Sequence, residues 1–309
     1  MPHRQQRDPM PGYEGRPLPR PDEELVDQGL GFDLGTMMGR RRMLRALGLG
    51  IASFGFAACG SGGGSATPSS SSTPATTATG EIPDETAGPY PGDGSNGPNV
   101  LDDSGIVRAD IRSSFGDASG TAQGVPMTLE LVIQDLANGG VPFAGTAVYV
   151  WHCDREGRYS MYSDGVTDQN YLRGVQIADA AGRVRFTSIF PACYDGRWPH
   201  IHFEVYPDQA SITDAGNAIA TSQVALPEDA CKAVYAQPGY EASVQTLSRV
   251  SITSDNVFGD DGGASQLGTV TGDVTTGYAV SLVAAVDTTT TPTGGGQAPG
   301  SGGPGGPPR

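Results

Sequence analysis

The apolar residues of this chain come in short runs, and most of those runs alternate with polar ones. Met127 to Asp135 reads MTLELVIQD and stops at the turn signal Asn138-Gly139-Gly140. Ala147 to Cys153 reads AVYVWHC, and Val184 to Ile189 follows a turn at Asp179 to Gly182. Strand side chains point to alternate faces, so a period of two with β-branched and aromatic residues marks half-buried strands. Further strands are expected at Pro199 to Tyr206, Ser222 to Leu226, Arg249 to Thr253 and Gly277 to Val286. Only Pro227 to Tyr235 reads as a helix, extended past Gly239 by Glu241 to Leu247. Many short strands at regular spacing predict an all-β fold, a two-sheet β-sandwich with one short helical segment.

Low-complexity sequence bounds this region. Residues 60–82 are almost entirely Gly, Ser, Thr, Ala and Pro and read as a flexible linker, as does the Gly/Pro-rich tail 289–309. The sandwich is therefore expected over 83–288. Residues 1–59 read as an extension and an export signal: Gly39-Arg40-Arg41-Arg42-Met43-Leu44-Arg45 has a twin-arginine pattern before the apolar run Ala46 to Ala58. That run is too short to span a bilayer comfortably. It ends in Phe56-Ala57-Ala58-Cys59-Gly60, which resembles a lipobox, so an exported lipoprotein tethered through Cys59 is expected. Translation could begin at Met1, or at Met37 or Met38. The formal net charge is −15 and Lys232 is the chain's only lysine, a balance that argues against nucleic acid or an anionic membrane surface as partner.

Apart from Cys59 the cysteines are Cys153, Cys193 and Cys231, without C-x-x-C spacing, so a metal role for them is not expected. In an oxidising compartment the expected bridge is Cys193–Cys231, with Cys153 a buried free thiol. Histidine is scarcer in its meaning: of His3, His152, His200 and His202, the last two sit at i and i+2 of one apolar run. On a strand both imidazoles would share a face and form half a metal site. Phenolate oxygens from Tyr159 and Tyr194 would complete a hard N2O2 set suited to ferric iron. Taken alone, an H-x-H is more often structural, and Tyr159 by itself would be a packed sandwich tyrosine. His152 reads as structural, Tyr162 competes with Tyr159, and Tyr149, Tyr171 and Trp198 read as packing or pocket-wall residues.

The order Gly157-Arg158-Tyr159, Tyr194, Arg197-Trp198-Pro199-His200-Ile201-His202 resembles the signature of the intradiol ring-cleavage dioxygenases. Glu85-Thr86-Ala87-Gly88-Pro89-Tyr90, Leu172-Arg173-Gly174 and Thr221-Ser222-Gln223 extend the resemblance over roughly 83–288. It implies a catechol-cleaving enzyme with non-haem Fe(III) on Tyr159, Tyr194, His200 and His202, and a cis,cis-muconate-type product. Tyr194 would be the ligand displaced by substrate, Arg197 would stabilise negative charge on the substrate, and Gln223 would lie beside the ring. The expected partners are a small catechol and O2, with no nucleic acid, membrane contact only through Cys59, and room for a homo-oligomer. Only five residues separate Tyr194 from His200, which implies a shallow, open site. Two other readings remain: a tethered extracytoplasmic binding module, and a copper-binding protein that uses His200 and His202. No Met or Cys flanks that pair at a spacing suited to copper. A hydrolase is disfavoured because no G-x-S-x-G stands out.

Overall fold

The computed structural model describes residues 80–293 and the backbone of a small hairpin, β1 (Gly12–Tyr13) with β2 (Arg16–Pro17). The twin-arginine segment, Cys59, most of the linker and the tail beyond Thr293 lie outside the described residues. The remaining strands are β3 (Pro126–Asp135), β4 (Val141–Pro142), β5 (Ala147–Trp151), β6 (Arg173–Ile177), β7 (Arg183–Ile189), β8 (His200–Tyr206), β9 (Ala220–Ala225), β10 (Thr269–Asp273) and β11 (Gly277–Val286). One sheet runs β10-β11-β3-β4, with β7 also paired to β3; the other runs β6-β5-β8-β9. All its pairs are antiparallel except β11 with β3, which run parallel from Tyr278 opposite Met127 to Val286 opposite Asp135.

Alternation explains the packing. Met127, Leu129, Leu131 and Ile133 of β3 share one core with Val148 and Val150 of β5 and with Ile201, Phe203 and Val205 of β8. The two sheets therefore close on each other as a sandwich. The second sheet is also covered on its outer face: Tyr149, Trp151 and Tyr206 belong to a separate cluster with Ala87, Val100, Leu101 and Ile106 of the segment before β3. Its central strands β5 and β8 are consequently buried at every position. Ile82, placed in the linker by composition, is buried, and its N–H donates to Ala285 O at 2.8 Å.

Three expectations are corrected. Arg249 to Thr253 forms turns, not a strand. Ser251 and Ser254 bond each other's backbone N–H through their hydroxyls at 3.2 and 3.0 Å, and such local bonds compete with a ladder. The helical segment is two helices, Glu228–Tyr235 and Glu241–Leu247, broken at Gly239, whose φ of +93° no helix residue adopts. β6 and β10 form strands that the alternation pattern does not predict. The Cys193–Cys231 bridge is absent: all three thiols are free and buried, and each lies against a carbonyl, Cys193 Sγ at 3.6 Å from Arg197 O and Cys231 Sγ at 3.9 Å from Leu226 O.

His152, at the end of β5, is structural as expected. Its Nδ1 lies 2.8 Å from Cys153 O and its Nε2 2.7 Å from Ser188 Oγ, so Nδ1–H donates and Nε2 accepts. Burial, partly offset by the Cys153 carbonyl, pushes its pKa down to about 4. The unfolded chain binds this proton near the ordinary value of 6.5, so the contribution to stability is complete above that pH and is lost as pH falls toward 4. In the limit the loss is about 3 kcal/mol. Urea midpoints at pH 7 and 4.5 check this: His152→Gln should lose less stability between the two than the wild type, and an equal loss would refute it.

Candidate metal centre

Because Ile201, Phe203 and Val205 take the inner face of β8, His200, His202, Glu204 and Tyr206 take the outer one. His202 pairs across the sheet with Trp151 of β5 and Gln223 of β9. Its imidazole lies flat on the Trp151 ring, centroids 4.8 Å apart and planes within 5°. On the other side is the N-terminal segment, where a Cβ at Gly88 would come within 3.3 Å of His202 Cε1. Gly88 also has a φ of +73°, so glycine is required there twice over.

Tyr159 and Tyr194 approach from loops. Tyr159 follows Gly157 (φ +86°) in a tight turn after β5, its N–H held by Ser163 Oγ at 2.9 Å. Tyr194 lies half-buried between β7 and β8. The polar atoms of all four side chains meet: Tyr159 Oη is 3.3 Å from Tyr194 Oη, Tyr194 Oη 3.1 Å from His200 Nε2, and His200 Nε2 3.0 Å from His202 Nε2. Among the described residues no group of three or more His, Cys, Asp and Glu is placed to bind a metal. The cluster escapes that description because half its donors are phenols.

The electrostatics suit a cation. His200 Nδ1 is 2.5 Å from Trp198 O and must donate to it, which leaves Nε2 with a free lone pair facing the cluster. His202 Nδ1 is buried with no hydrogen-bond partner. Burial, and then Arg197, push His200 down to about 3, and His202 is also lowered, so both rings are neutral. Burial raises Tyr159 and carries Tyr194 up to about 12. Two neutral imidazole nitrogens and two oxygens that only a nearby positive charge would ionise fit a hard trivalent ion.

Arg197 and Gln223 are also at the site. Arg197 Nη2 donates to Gln223 Oε1 at 2.7 Å, and Gln223 Nε2 donates to Thr86 O at 3.0 Å. Tyr162 is not among the converging donors: its hydroxyl donates to Asn96 Oδ1 and accepts from Gly92 N, both at 2.8 Å. Its ring instead packs on Tyr90, which in turn packs on Tyr159. Tyr149, Tyr171 and Trp198 are buried and bonded to Pro91 O, Asp154 Oδ2 and Leu226 O. Two residues to which the sequence assigned no role matter here, Arg173 and Asp255. Arg173, 1 % exposed, donates to Pro91 O, Tyr90 O, Ser160 O, Ser160 Oγ and Tyr149 Oη, and so ties the segment carrying Tyr90 to β6. Asp255 receives Arg197 Nε at 2.9 Å.

Residues 97–212 match the family model described as Dioxygenase, a span that contains Tyr159, Tyr194, Arg197, His200 and His202 and stops short of Gln223. The structure superimposes on an intradiol ring-cleavage dioxygenase from Tetranychus urticae with a TM-score of 0.54 at 23% identity, over 69% of this chain and 98% of that one. The described domain has the fold of the intradiol ring-cleavage dioxygenases, and its central part resembles the dioxygenase family. The sequence is 38% identical over 56 residues to a chlorocatechol 1,2-dioxygenase of Rhodococcus opacus, covering 18% of this chain and 22% of that protein. It is 36% identical over 98 residues to the protocatechuate 3,4-dioxygenase beta chain of Burkholderia cepacia, covering 28% and 42%. These alignments therefore span less than half the length of the curated relatives.

Proposed function

We propose that the domain opens a catechol between its two hydroxyl-bearing carbons with O2, at a non-haem Fe(III) held by Tyr159, Tyr194, His200 and His202, giving a cis,cis-muconate-type product. The observation that carries this reading is the convergence of two Nε2 and two Oη atoms at 3.0–3.3 Å spacings on the outer face of β8. The relatives' names, chlorocatechol and protocatechuate dioxygenase, support the substrate class. Ferric iron would supply Lewis acidity and a template for the two catechol oxygens.

The chain's own residues supply the rest. His200 and His202 are held by a strand, by the Trp198 carbonyl and by the Trp151 ring, which makes them fixed donors. Tyr159 is buried and fixed by its turn, whereas Tyr194 sits on a loop and is half-buried. Tyr194 is thus the donor that would give way to substrate; ionised by a bound ferric ion, its Oη would then be able to take the proton of an incoming catechol hydroxyl. Arg197 sets a fixed positive charge beside Tyr194, where charge on the reacting ring would need it. The Trp151, Tyr90 and Phe258 rings pack against His202, Tyr159 and His200. Export and anchoring through Cys59 belong to the proposal on the strength of residues 39–60 alone.

Oxygen-electrode turnover of the iron-loaded full chain with catechol, 4-chlorocatechol and protocatechuate tests this. Uptake of one O2 per ring opened, with both atoms of labelled O2 in the dicarboxylate, is the expected result. No uptake with any of the three would leave a tethered binding module as the better account.

A further inference from the structure

Asp255 lies 58 residues from Arg197, in the stretch after the second helix, and its side chain is fully buried. Five hydrogen bonds end on its carboxylate. Oδ2 accepts from Arg197 Nε at 2.9 Å and from Trp198 N at 2.7 Å. Oδ1 accepts from Val257 N at 2.8 Å and Phe258 N at 3.1 Å, and more weakly from Arg197 Nη2 at 3.5 Å. One carboxylate thus folds its own loop and grips one edge of the guanidinium. Burial opposes its ionisation, but Arg197 and the backbone donors outweigh that and lower its pKa.

The grip determines which part of Arg197 is left for a ligand. A guanidinium presents five N–H bonds in a rigid plane. Nε and Nη2 are taken by Asp255 and Gln223, whereas Nη1 makes no hydrogen bond within the described protein. Phe258 adds a ring 6.0 Å from the guanidinium carbon and 6.5 Å from the His200 ring. Asp255, Arg197, Gln223 and Thr86 therefore form one chain of bonds across four separate segments, closing beside the metal cluster.

We propose that Asp255 is a positioning residue for the dioxygenase reaction: it locks Arg197 so that the Nη1 edge faces the bound substrate. The proposal rests on the iron-dependent reading above. An arginine without this hold would spread over its side-chain rotamers, and the cost would fall on the reaction step more than on binding.

Asp255→Ser separates the two jobs of the carboxylate. A serine hydroxyl can still accept from the N–H groups of Val257 and Phe258, but it offers no anion to Arg197. Asp255→Asn serves if the serine variant does not fold. In the metal-free protein, the Arg197 Nε–H should give a nitrogen-edited NMR signal that exchanges slowly with water, and in the variant its exchange should quicken by at least about tenfold. In the iron-loaded protein, Asp255→Ser should lower kcat on catechol by roughly 10- to 100-fold with a smaller change in KM, and by less than about twofold when Arg197 is already methionine. Equal losses in both backgrounds, or an unchanged Nε–H exchange rate, would show that Asp255 serves only the fold. A wild-type chain that binds iron but turns over no catechol, with Nε–H protection intact, would sink the iron-dependent reading and the positioning role with it, leaving a plain salt bridge.

Discussion

Alanine at both His200 and His202 yields a folded domain that no longer retains iron, and catechol turnover falls by well over the roughly 100-fold that follows loss of an outer partner alone. The expectation rests on what those side chains do in the fold. Both are buried on β8, yet His202 Nδ1 has no partner and the two Nε2 atoms face each other at 3.0 Å. A buried imidazole nitrogen without a partner, on a ring whose other nitrogen faces a cluster of three more donors, is poorly explained by packing. Removing the rings relieves that polar cost while forfeiting the stack on Trp151, so the two effects oppose and the melting temperature of the metal-free protein should shift little. Iron per chain, measured after ferric reconstitution and dialysis, checks the claim. Equal iron in the double variant and the wild type would place the metal elsewhere.

Arg173→Met gives the largest loss of stability, about 3–5 kcal/mol by urea unfolding. The guanidinium is 1 % exposed and serves five acceptors from three segments, including the carbonyls of Tyr90 and Pro91. Methionine fills much of the volume but removes five hydrogen bonds from these buried acceptors, leaving Pro91 O only the Tyr149 hydroxyl at 2.7 Å. Gly92 packs so closely on Arg173 Nη1 that a Cβ there would stand 2.8 Å from it, so the entrance segment would shift along with the loss. Tyr90, which packs on Tyr159 at 5.0 Å, should then loosen and disturb the four-donor cluster as well. Arg112→Met is the control: Arg112 and its partner Asp110 are both exposed, and that pair should contribute under about 1 kcal/mol. If Arg173→Met cost no more than this control, the buried clamp would not have the role given to it.

The parts of this molecule that were legible in its sequence are those fixed by local pattern. Period-two alternation in β3, β7 and β8 marks the sandwich faces, and the same alternation puts His200 and His202 on one side of β8. β6 was invisible because RGVQI offers neither an apolar run nor clear alternation; Gly174 is there because Ile111 packs where a Cβ would stand. The run from Arg249 to Thr253 looked like a strand, yet its serines bond locally and no sheet edge receives it. The four donors could be named in advance, since spacing and residue type together are specific. Asp255 could not: its importance lies in contacts with Arg197 and Trp198 across 58 and 57 residues, and nothing in its own surroundings distinguishes it from any other loop aspartate.

The central proposal is that two tyrosines and two histidines would hold ferric iron where a catechol can chelate it. The visible spectrum of the iron-reconstituted full chain, recorded before and after anaerobic addition of catechol, tests this most directly. The account predicts a tyrosinate-to-Fe(III) charge-transfer band that moves to longer wavelength with catechol, and that weakens or shifts in Tyr159→Phe. A protein that stays colourless after reconstitution, or a band indifferent to both catechol and Tyr159→Phe, would contradict it.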